Sequence, residues 1–227
     1  MKYILPLFAS LLFFSACSNE SGNSSGNEGS TVALQSEPKN VKRLKNIVFF
    51  GTSLTAAYNL EQDQGYPALV QNKIDSLGLP YRCINAGVSG ETTADGLSRI
   101  NWILDQQVDV FVMELGANDA LRGLPLKESK RNMVTILEQV KQRHPAAKLV
   151  IAGMQAPPNL GEEYTKSFRE LFVIVSAKYN AELIPFLLEG VAGEPELNLE
   201  DGIHPNVEGQ KIVANNVWTV LEPLLKK

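Results

Sequence analysis

Residues 47–54 read Ile-Val-Phe-Phe-Gly-Thr-Ser-Leu, in which four successive apolar residues are followed by a glycine and two hydroxyl residues. A short run of β-branched and aromatic residues is typical of a strand buried on both faces, as in a parallel sheet. Further strands are predicted at residues 82–85, 108–113, 149–153 and 182–185. Longer stretches separate them, so the pattern predicts a three-layer α/β/α sandwich with a central parallel sheet of about five strands.

Three of the longer stretches have the spacing of amphipathic helices. Apolar residues recur every three or four positions within residues 133–140, 164–179 and 213–224. A helix with this spacing presents one apolar face, which packs on the sheet. These apolar residues are therefore predicted to belong to the core, not to a ligand site.

The first 40 residues differ in composition from the rest of the chain. Residues 1–16 combine a basic start, an apolar stretch too short to span a bilayer and a small-residue end, which predicts a signal peptide. Cys17 follows Ser-Ala and resembles the cysteine of a bacterial lipobox, so we expect it to be lipidated; an ordinary secretory signal cut near Ala16 is the alternative. Residues 17–40 carry the lipidated cysteine and a Ser-, Asn- and Gly-rich tether, and residues 41–227 form the predicted domain.

This arrangement predicts an enzyme-sized domain held at a membrane of the bacterial cell envelope, periplasmic or surface-facing, through an N-terminal lipid anchor. With Cys17 acylated, Cys83 has no disulfide partner and is expected to be a buried small hydrophobe.

Charge and histidine content exclude several classes of function. The chain has 21 basic and 25 acidic residues, a formal net charge of −4, and no basic stripe with interleaved aromatics, so we expect no nucleic-acid partner. Its two histidines, His144 and His204, are far apart and lack neighbouring ligands at metal-binding spacing, so we expect no metal. No phosphate-binding glycine loop is present, and no cofactor is expected.

Polar residues that suit acyl transfer follow the predicted strands. Ser53 comes after the first strand, Gly90 after the second and Asn118 after the third, while Asp201 and His204 lie between the last strand and the final helix. Loops at the carboxyl ends of parallel strands meet at one edge of the sheet, so these residues can converge there.

Their chemistry is complementary. A serine hydroxyl becomes a good nucleophile when an imidazole accepts its proton, and a carboxylate orients that imidazole. Ser53, His204 and Asp201 can fill these roles. The backbone N–H groups of Ser53 and Gly90 and the side-chain amide of Asn118 can bind the oxyanion. Each residue taken alone could instead be a helix cap or a turn residue.

Four sequence blocks together resemble the SGNH (GDSL) hydrolase superfamily. They are Gly-Thr-Ser-Leu at 51–54, Asn-Ala-Gly-Val-Ser-Gly-Glu-Thr at 85–92, Gly-Ala-Asn-Asp at 116–119 and Asp-Gly-Ile-His at 201–204. The resemblance implies a flavodoxin-like fold, Ser53 as nucleophile, Gly90 and Asn118 as oxyanion donors, His204 as base and Asp201 as its partner. Thr52 stands where the signature has Asp; its hydroxyl can still make a local hydrogen bond.

Residues 154–164 and the segment from Ile184 onward are similar to the bacterial arylesterase, acyl-thioesterase and lysophospholipase branch of this superfamily. That similarity implies a serine esterase acting on carboxylic esters or thioesters, with a small-molecule ester or lipid as substrate, and residues 157–161 beside the acyl pocket. Two alternatives remain at this point: a carbohydrate O-acetyl esterase and a non-catalytic surface-binding lipoprotein.

Overall fold

A computed structural model describes residues 43–226. Its five strands are β1 (Lys45–Gly51), β2 (Tyr81–Gly87), β3 (Val110–Glu114), β4 (Lys148–Ala152) and β5 (Glu182–Ile184). All of them are parallel, in the order β2-β1-β3-β4-β5. The predicted sheet is confirmed, with strand bounds that differ by one or two residues. β1 starts earlier than predicted because Lys45 and Asn46 pair with β2 despite their polar side chains.

The helices of the described residues are α1 (Tyr66–Ser76), α2 (Thr93–Ile103), α3 (Ala117–Leu121), α4 (Leu126–Arg143), α5 (Glu162–Tyr179) and α6 (Val207–Leu225). Helices α1 and α6 pack together, and α2, α4 and α5 form a second group. The two groups cover opposite faces of the sheet, which confirms the three-layer sandwich.

The core lies on both faces of β1 and β3. Residues 46–51 of β1 and every residue of β3 are buried, as expected for strands covered by helices on two sides. The predicted apolar stripe of α5 is buried through Phe168, Leu171, Phe172 and Val175. Cys83 is only half-buried, because β2 is an edge strand; burial still raises the pKa of its thiol to about 12, which keeps it protonated at neutral pH.

The order of the strands creates a crevice beside β1. After β1 the chain continues to β2 on one side of the sheet, and after β3 it continues to β4 on the opposite side. The loops that follow β1 and β3 therefore lead in opposite directions. Open α/β sheets bind ligands at such a point, outside the carboxyl ends of the strands. Gly51 at the end of β1 is in register with Glu114 at the end of β3, so the loops bearing Ser53 and Asn118 start side by side.

None of the helices within residues 43–226 has the length and apolarity needed to cross a membrane. The predicted signal peptide at residues 1–16, the lipidation site Cys17 and the tether through residue 40 lie outside the described residues.

Candidate active site

Ser53 lies in a series of turns directly after β1. The N–H of Ala56 donates to the carbonyl oxygen of Thr52 (2.9 Å), and the N–H of Tyr58 donates to the carbonyl oxygen of Ser53 (3.1 Å). These bonds hold the turn at the carboxyl end of the strand. Ser53 is therefore part of a fixed backbone and remains partly exposed to the crevice.

Asp201 and His204 occupy a short loop whose base is closed by backbone pairing. Asn198 and Pro205 form an antiparallel bridge, and the N–H of Leu199 donates to the carbonyl oxygen of His204 at 2.8 Å. Gly202, at φ 72°, turns the chain between Asp201 and His204. Such a φ strongly favours glycine, which explains the Asp-Gly-Ile-His pattern.

The same loop is attached to the last helix. The side chain of Asn206 accepts hydrogen bonds from the N–H groups of Glu208 and Gly209, so it caps the N-terminus of α6. Its amide nitrogen also donates to the carbonyl oxygen of Glu196 at 2.8 Å. The loop bearing the imidazole is thus fixed to a long helix packed on the sheet.

The three predicted catalytic side chains lie in one hydrogen-bonded line. His204 Nε2 is 2.8 Å from Ser53 Oγ, and His204 Nδ1 is 2.7 Å from Asp201 Oδ2. Asp201 Oδ1 accepts the N–H groups of Ile203 (3.0 Å) and His204 (3.1 Å). This geometry is the one that a serine, a base and an orienting carboxylate require.

The ionisation of Asp201 follows from these contacts. Partial burial alone would raise the pKa of its carboxyl. The hydrogen bonds from the Ile203 N–H, the His204 ring and the His204 N–H outweigh that effect and hold the pKa below its usual value. Asp201 is therefore a carboxylate at neutral pH.

Gly90 and Asn118 come together through the segment that enters α2. Asn118 Nδ2 donates one hydrogen bond to the carbonyl oxygen of Glu91 (2.9 Å), which leaves the second N–H of the amide free. Arg122 Nη2 donates to the carbonyl oxygen of Gly90 at 2.7 Å. Gly90 has φ 82°, a conformation that side chains disfavour. The two polar side chains thus fix the peptides on either side of Glu91.

A buried aspartate holds these elements in place. Asp119 accepts hydrogen bonds from the N–H and hydroxyl of Thr93 (2.8 and 2.6 Å) and from the Ser129 hydroxyl (2.8 Å). It joins α3 to the starts of α2 and α4. The orientation of its neighbour Asn118 therefore depends on Asp119.

Sequence reasoning missed a second buried carboxylate, Glu114, beneath the Ser53 turn. Glu114 is fully buried and accepts the Thr52 N–H (2.7 Å), the Thr52 hydroxyl (3.0 Å) and the Thr55 hydroxyl (2.9 Å). Burial raises the pKa of Glu114, and the hydrogen bonds from the two threonines oppose that rise in part. The sequence signal for this site was a glutamate directly after four apolar strand residues. A charged residue is seldom fully buried without partners, so its position indicates a polar contact at the end of the strand.

A cavity of about 500 Å³ opens beside Ser53. Ser53, Asn118 and His204 lie in its wall, whereas Asp201 lies behind the imidazole and Gly90 is not part of the wall. The rest of the wall is mainly apolar and comes from the loops after β1, β3, β4 and β5; it includes Leu54, Leu121, Met154, Pro157, Phe186 and Ile203. Pro157 and Pro158, expected beside an acyl pocket, border this cavity.

Elsewhere in residues 43–226, no three His, Cys, Asp or Glu side chains are grouped closely enough to hold a metal ion. His144 ends α4, and its Nε2 lies 3.1 Å from the carbonyl oxygen of Leu104, so this histidine has a structural contact away from the site.

Known proteins are similar to this chain in both sequence and fold. Residues 49–212 match the sequence model of the GDSL-like Lipase/Acylhydrolase family. Esterase TesA of Pseudomonas aeruginosa is 37% identical over 182 residues, 80% of this chain and 90% of that protein. An arylesterase of Vibrio mimicus is 33% identical over 174 residues, 76% of this chain and 86% of that protein.

A solved structure supports the same family membership. The crystal structure of AlinE4, an SGNH-hydrolase family esterase, superimposes with a TM-score of 0.67 and 40% identity, covering 80% of this chain and 97% of that chain. The fold and the sequence relatives define a serine hydrolase that acts on ester bonds. The chain belongs to the GDSL-like lipase/acylhydrolase family, as the four sequence blocks predicted.

Proposed function

We propose that this protein hydrolyses carboxylic esters and thioesters through an acyl intermediate on Ser53. The proposal rests above all on the two successive hydrogen bonds from Ser53 through His204 to Asp201, of 2.8 and 2.7 Å. In the first step, His204 Nε2 accepts the hydroxyl proton while Ser53 Oγ bonds to the substrate carbonyl carbon. The carbonyl π electrons move to the oxygen, and Asp201 stabilises the imidazolium that forms.

The negative oxygen then needs hydrogen-bond donors. We assign this role to the backbone N–H groups of Ser53 and Gly90 and to the free N–H of the Asn118 amide. The position of Asn118 in the cavity wall supports this assignment. Loss of one such donor typically lowers the rate by about 10² to 10³.

Collapse of the tetrahedral intermediate completes acylation and prepares hydrolysis. The bond between the carbonyl carbon and the leaving oxygen or sulfur breaks, and His204 Nε2 returns its proton to that atom. Water then gives a proton to His204 and bonds to the acyl carbon. The bond between the acyl carbon and Ser53 Oγ then breaks, His204 Nε2 returns its proton to Oγ, and the carboxylic acid leaves; no step requires a cofactor.

The apolar wall of the cavity supports an apolar acyl or aryl substrate. A cavity of this size and lining gains free energy from burying hydrocarbon, whereas a sugar ring would bring hydroxyls that need partners. The arylesterase among the relatives points the same way. The cavity therefore favours small aryl esters, acyl thioesters and lysophospholipids over the acetylated carbohydrates of the alternative interpretation.

A substrate series tests this preference. p-Nitrophenyl esters from acetyl to octanoyl, one acyl thioester and one lysophospholipid would be compared by kcat/KM. We expect octanoyl to equal or exceed acetyl. A clear preference for acetyl would instead support the carbohydrate O-acetyl esterase.

Covalent labelling tests the mechanism itself. A fluorophosphonate probe should label the native protein and fail to label Ser53→Ala. Ser98→Ala is a matched control, because Ser98 is an exposed serine on α2. Absence of label on the folded native protein would support the non-catalytic binding alternative.

We further propose that the enzyme acts at the bacterial cell envelope, attached through lipidated Cys17, because of the lipobox-like sequence that ends in this cysteine. Mass spectrometry of the mature N-terminus after expression in a lipoprotein-processing bacterium should detect a diacylglyceryl cysteine. An unmodified residue at or near position 17 would contradict it.

A further inference from the structure

Tyr58 packs against the imidazole of His204. The centroids of the two rings are 4.5 Å apart and the rings are tilted by 35°. The imidazole also lines the cavity, and its two ring nitrogens are hydrogen-bonded to Ser53 and Asp201. Tyr58 is therefore a contact of His204 that the mechanism above does not use.

The backbone around Tyr58 adopts an uncommon conformation. Ala57 and Asn59, the residues on either side, have φ values of 57° and 55°, in the left-handed region that non-glycine residues seldom enter. An alanine in this region costs free energy, and it persists only where the surrounding contacts require it.

Those contacts are present on the whole turn. Ala57 is buried, and its Cβ lies directly against the backbone of Gly65, where an added Cβ would come within 2.6 Å. The carbonyl oxygens of Thr55 and Ala56 accept the side-chain amides of Asn85 and Gln62 at 2.8 and 3.1 Å. The turn is held firmly, although Tyr58 itself is 38% exposed and adds little to the core.

The turn also couples Tyr58 to the serine. The Tyr58 N–H donates to the carbonyl oxygen of Ser53, so one rigid turn sets both the hydroxyl and the ring that faces the imidazole. An aromatic face near an imidazole can restrict its rotation and attract the positive charge that it gains on accepting a proton.

We infer that Tyr58 is a positioning residue for His204: its ring holds the imidazole in line between Ser53 and Asp201 and stabilises the imidazolium during proton transfer. This inference rests on the proposed function. Because Tyr58 contacts the base and is absent from the cavity wall, its effect falls on kcat and leaves KM nearly unchanged.

Two substitutions separate the ring from the hydroxyl. Tyr58→Phe keeps the aromatic face and should retain kcat within about twofold. Tyr58→Leu keeps an apolar side chain without the π face, and should lower kcat by about 3- to 30-fold with KM changed less than twofold. Steady-state kinetics on p-nitrophenyl butyrate and the rate of fluorophosphonate labelling give both values.

Nuclear magnetic resonance supplies a readout that does not depend on activity. The chain has only two histidines, so His144 serves as the internal reference. The ring protons of His204 should carry an aromatic ring-current shift in the native protein and in Tyr58→Phe, and lose it in Tyr58→Leu, while those of His144 stay unchanged. This spectrum also verifies folding, and Tyr58→Met replaces the leucine variant if that one unfolds.

The outcomes are distinct. Native kcat in Tyr58→Leu would overturn the inference, as would an equal loss in the Phe and Leu variants, since that would implicate the hydroxyl. A change in KM alone would overturn it too, because it would place Tyr58 against the substrate. A native protein without activity or label would instead refute the proposed function, independently of Tyr58.

Discussion

Replacement of Asp201 by asparagine should abolish most of the activity through a tautomer change. Asp201 Oδ1 is fixed by the N–H groups of Ile203 and His204. An asparagine must keep its oxygen at that place to accept the same two bonds, so its NH₂ group must face His204 Nδ1. Nδ1 would then be the acceptor, and the ring proton would move to Nε2. An imidazole protonated at Nε2 cannot accept the Ser53 proton.

The size of the loss follows from the exposure of the pair. The comparable aspartate-to-asparagine substitution in a serine protease lowers kcat by about 10⁴. The Asp201 side chain is 37% exposed and the His204 side chain 16% exposed, so water screens part of the charge interaction between them. We therefore expect Asp201→Asn to lower kcat/KM by about 10² to 10³, or about 3 to 4 kcal/mol of transition-state stabilisation.

The assay is kcat/KM on p-nitrophenyl butyrate, with thermal unfolding measured in parallel. The loop keeps its acceptor in Asp201→Asn, so the melting temperature should stay within a few degrees. Asp105→Asn is the matched control, because Asp105 is an exposed aspartate with a single ion pair to Arg143; its activity should be native.

Asp201→Ala tests whether the loss of activity in Asp201→Asn comes from the wrong imidazole tautomer or from the missing negative charge. The alanine removes the carboxylate but presents no donor to Nδ1, so the asparagine variant should lose at least as much activity as the alanine variant. If the asparagine variant keeps activity within tenfold of native, or clearly exceeds the alanine variant, the reasoning is refuted.

Two further predictions concern the backbone around the site. Because burial raises the pKa of the Glu114 carboxyl, the folded state keeps that proton over a pH range where the unfolded chain has lost it. The free energy of unfolding of the native protein, relative to that of Glu114→Gln, should therefore fall as pH rises above about 4.5. Urea unfolding from pH 4 to 8 measures this difference, and a rise would contradict the prediction. An added Cβ at Gly90 would meet only Arg122 Nη2, at 4.0 Å, but the φ of 82° is unfavourable, so Gly90→Ala should lower kcat by about 10- to 100-fold by moving the proposed oxyanion donor. Gly78→Ala, with φ 61° and nothing within 4 Å of its Cβ, should cost similar stability, about 1 kcal/mol, without loss of kcat; equal kcat in both variants would exclude Gly90 from the oxyanion site.

Local sequence signals were sufficient to predict the sheet. The apolar run at residues 47–50 lies within the buried part of β1, and the hydroxyl residues that follow Gly51 mark the strand end. Ser53 was placed correctly for the same reason, since a strand that stops at a glycine must turn there. The predicted strand at 108–113 started two residues early, because Val108 is buried before the backbone pairing with β1 begins.

Contacts between distant loops could not be predicted in this way. Arg122 is an exposed residue after a short helix, and only the fold brings its guanidinium to the carbonyl oxygen of Gly90. Tyr58 lies five residues after Ser53, in a turn where the left-handed residues Ala57 and Asn59 flank it, and its ring faces His204. Neither a left-handed alanine nor a long-range contact has a reliable local sequence signal.

Thr52 replaces the aspartate of the family signature, and Glu114 explains why the site can accommodate it. A second carboxylate at position 52 would lie against the fully buried Glu114, where two neighbouring acids cannot both ionise. A threonine avoids that conflict and donates its hydroxyl to Glu114 instead. The shortest bond to Glu114, at 2.7 Å, comes from the backbone N–H of residue 52, which an aspartate and a threonine supply equally. Since that backbone bond fixes the peptide leading into Ser53, we expect the serine to keep its position with either side chain at residue 52.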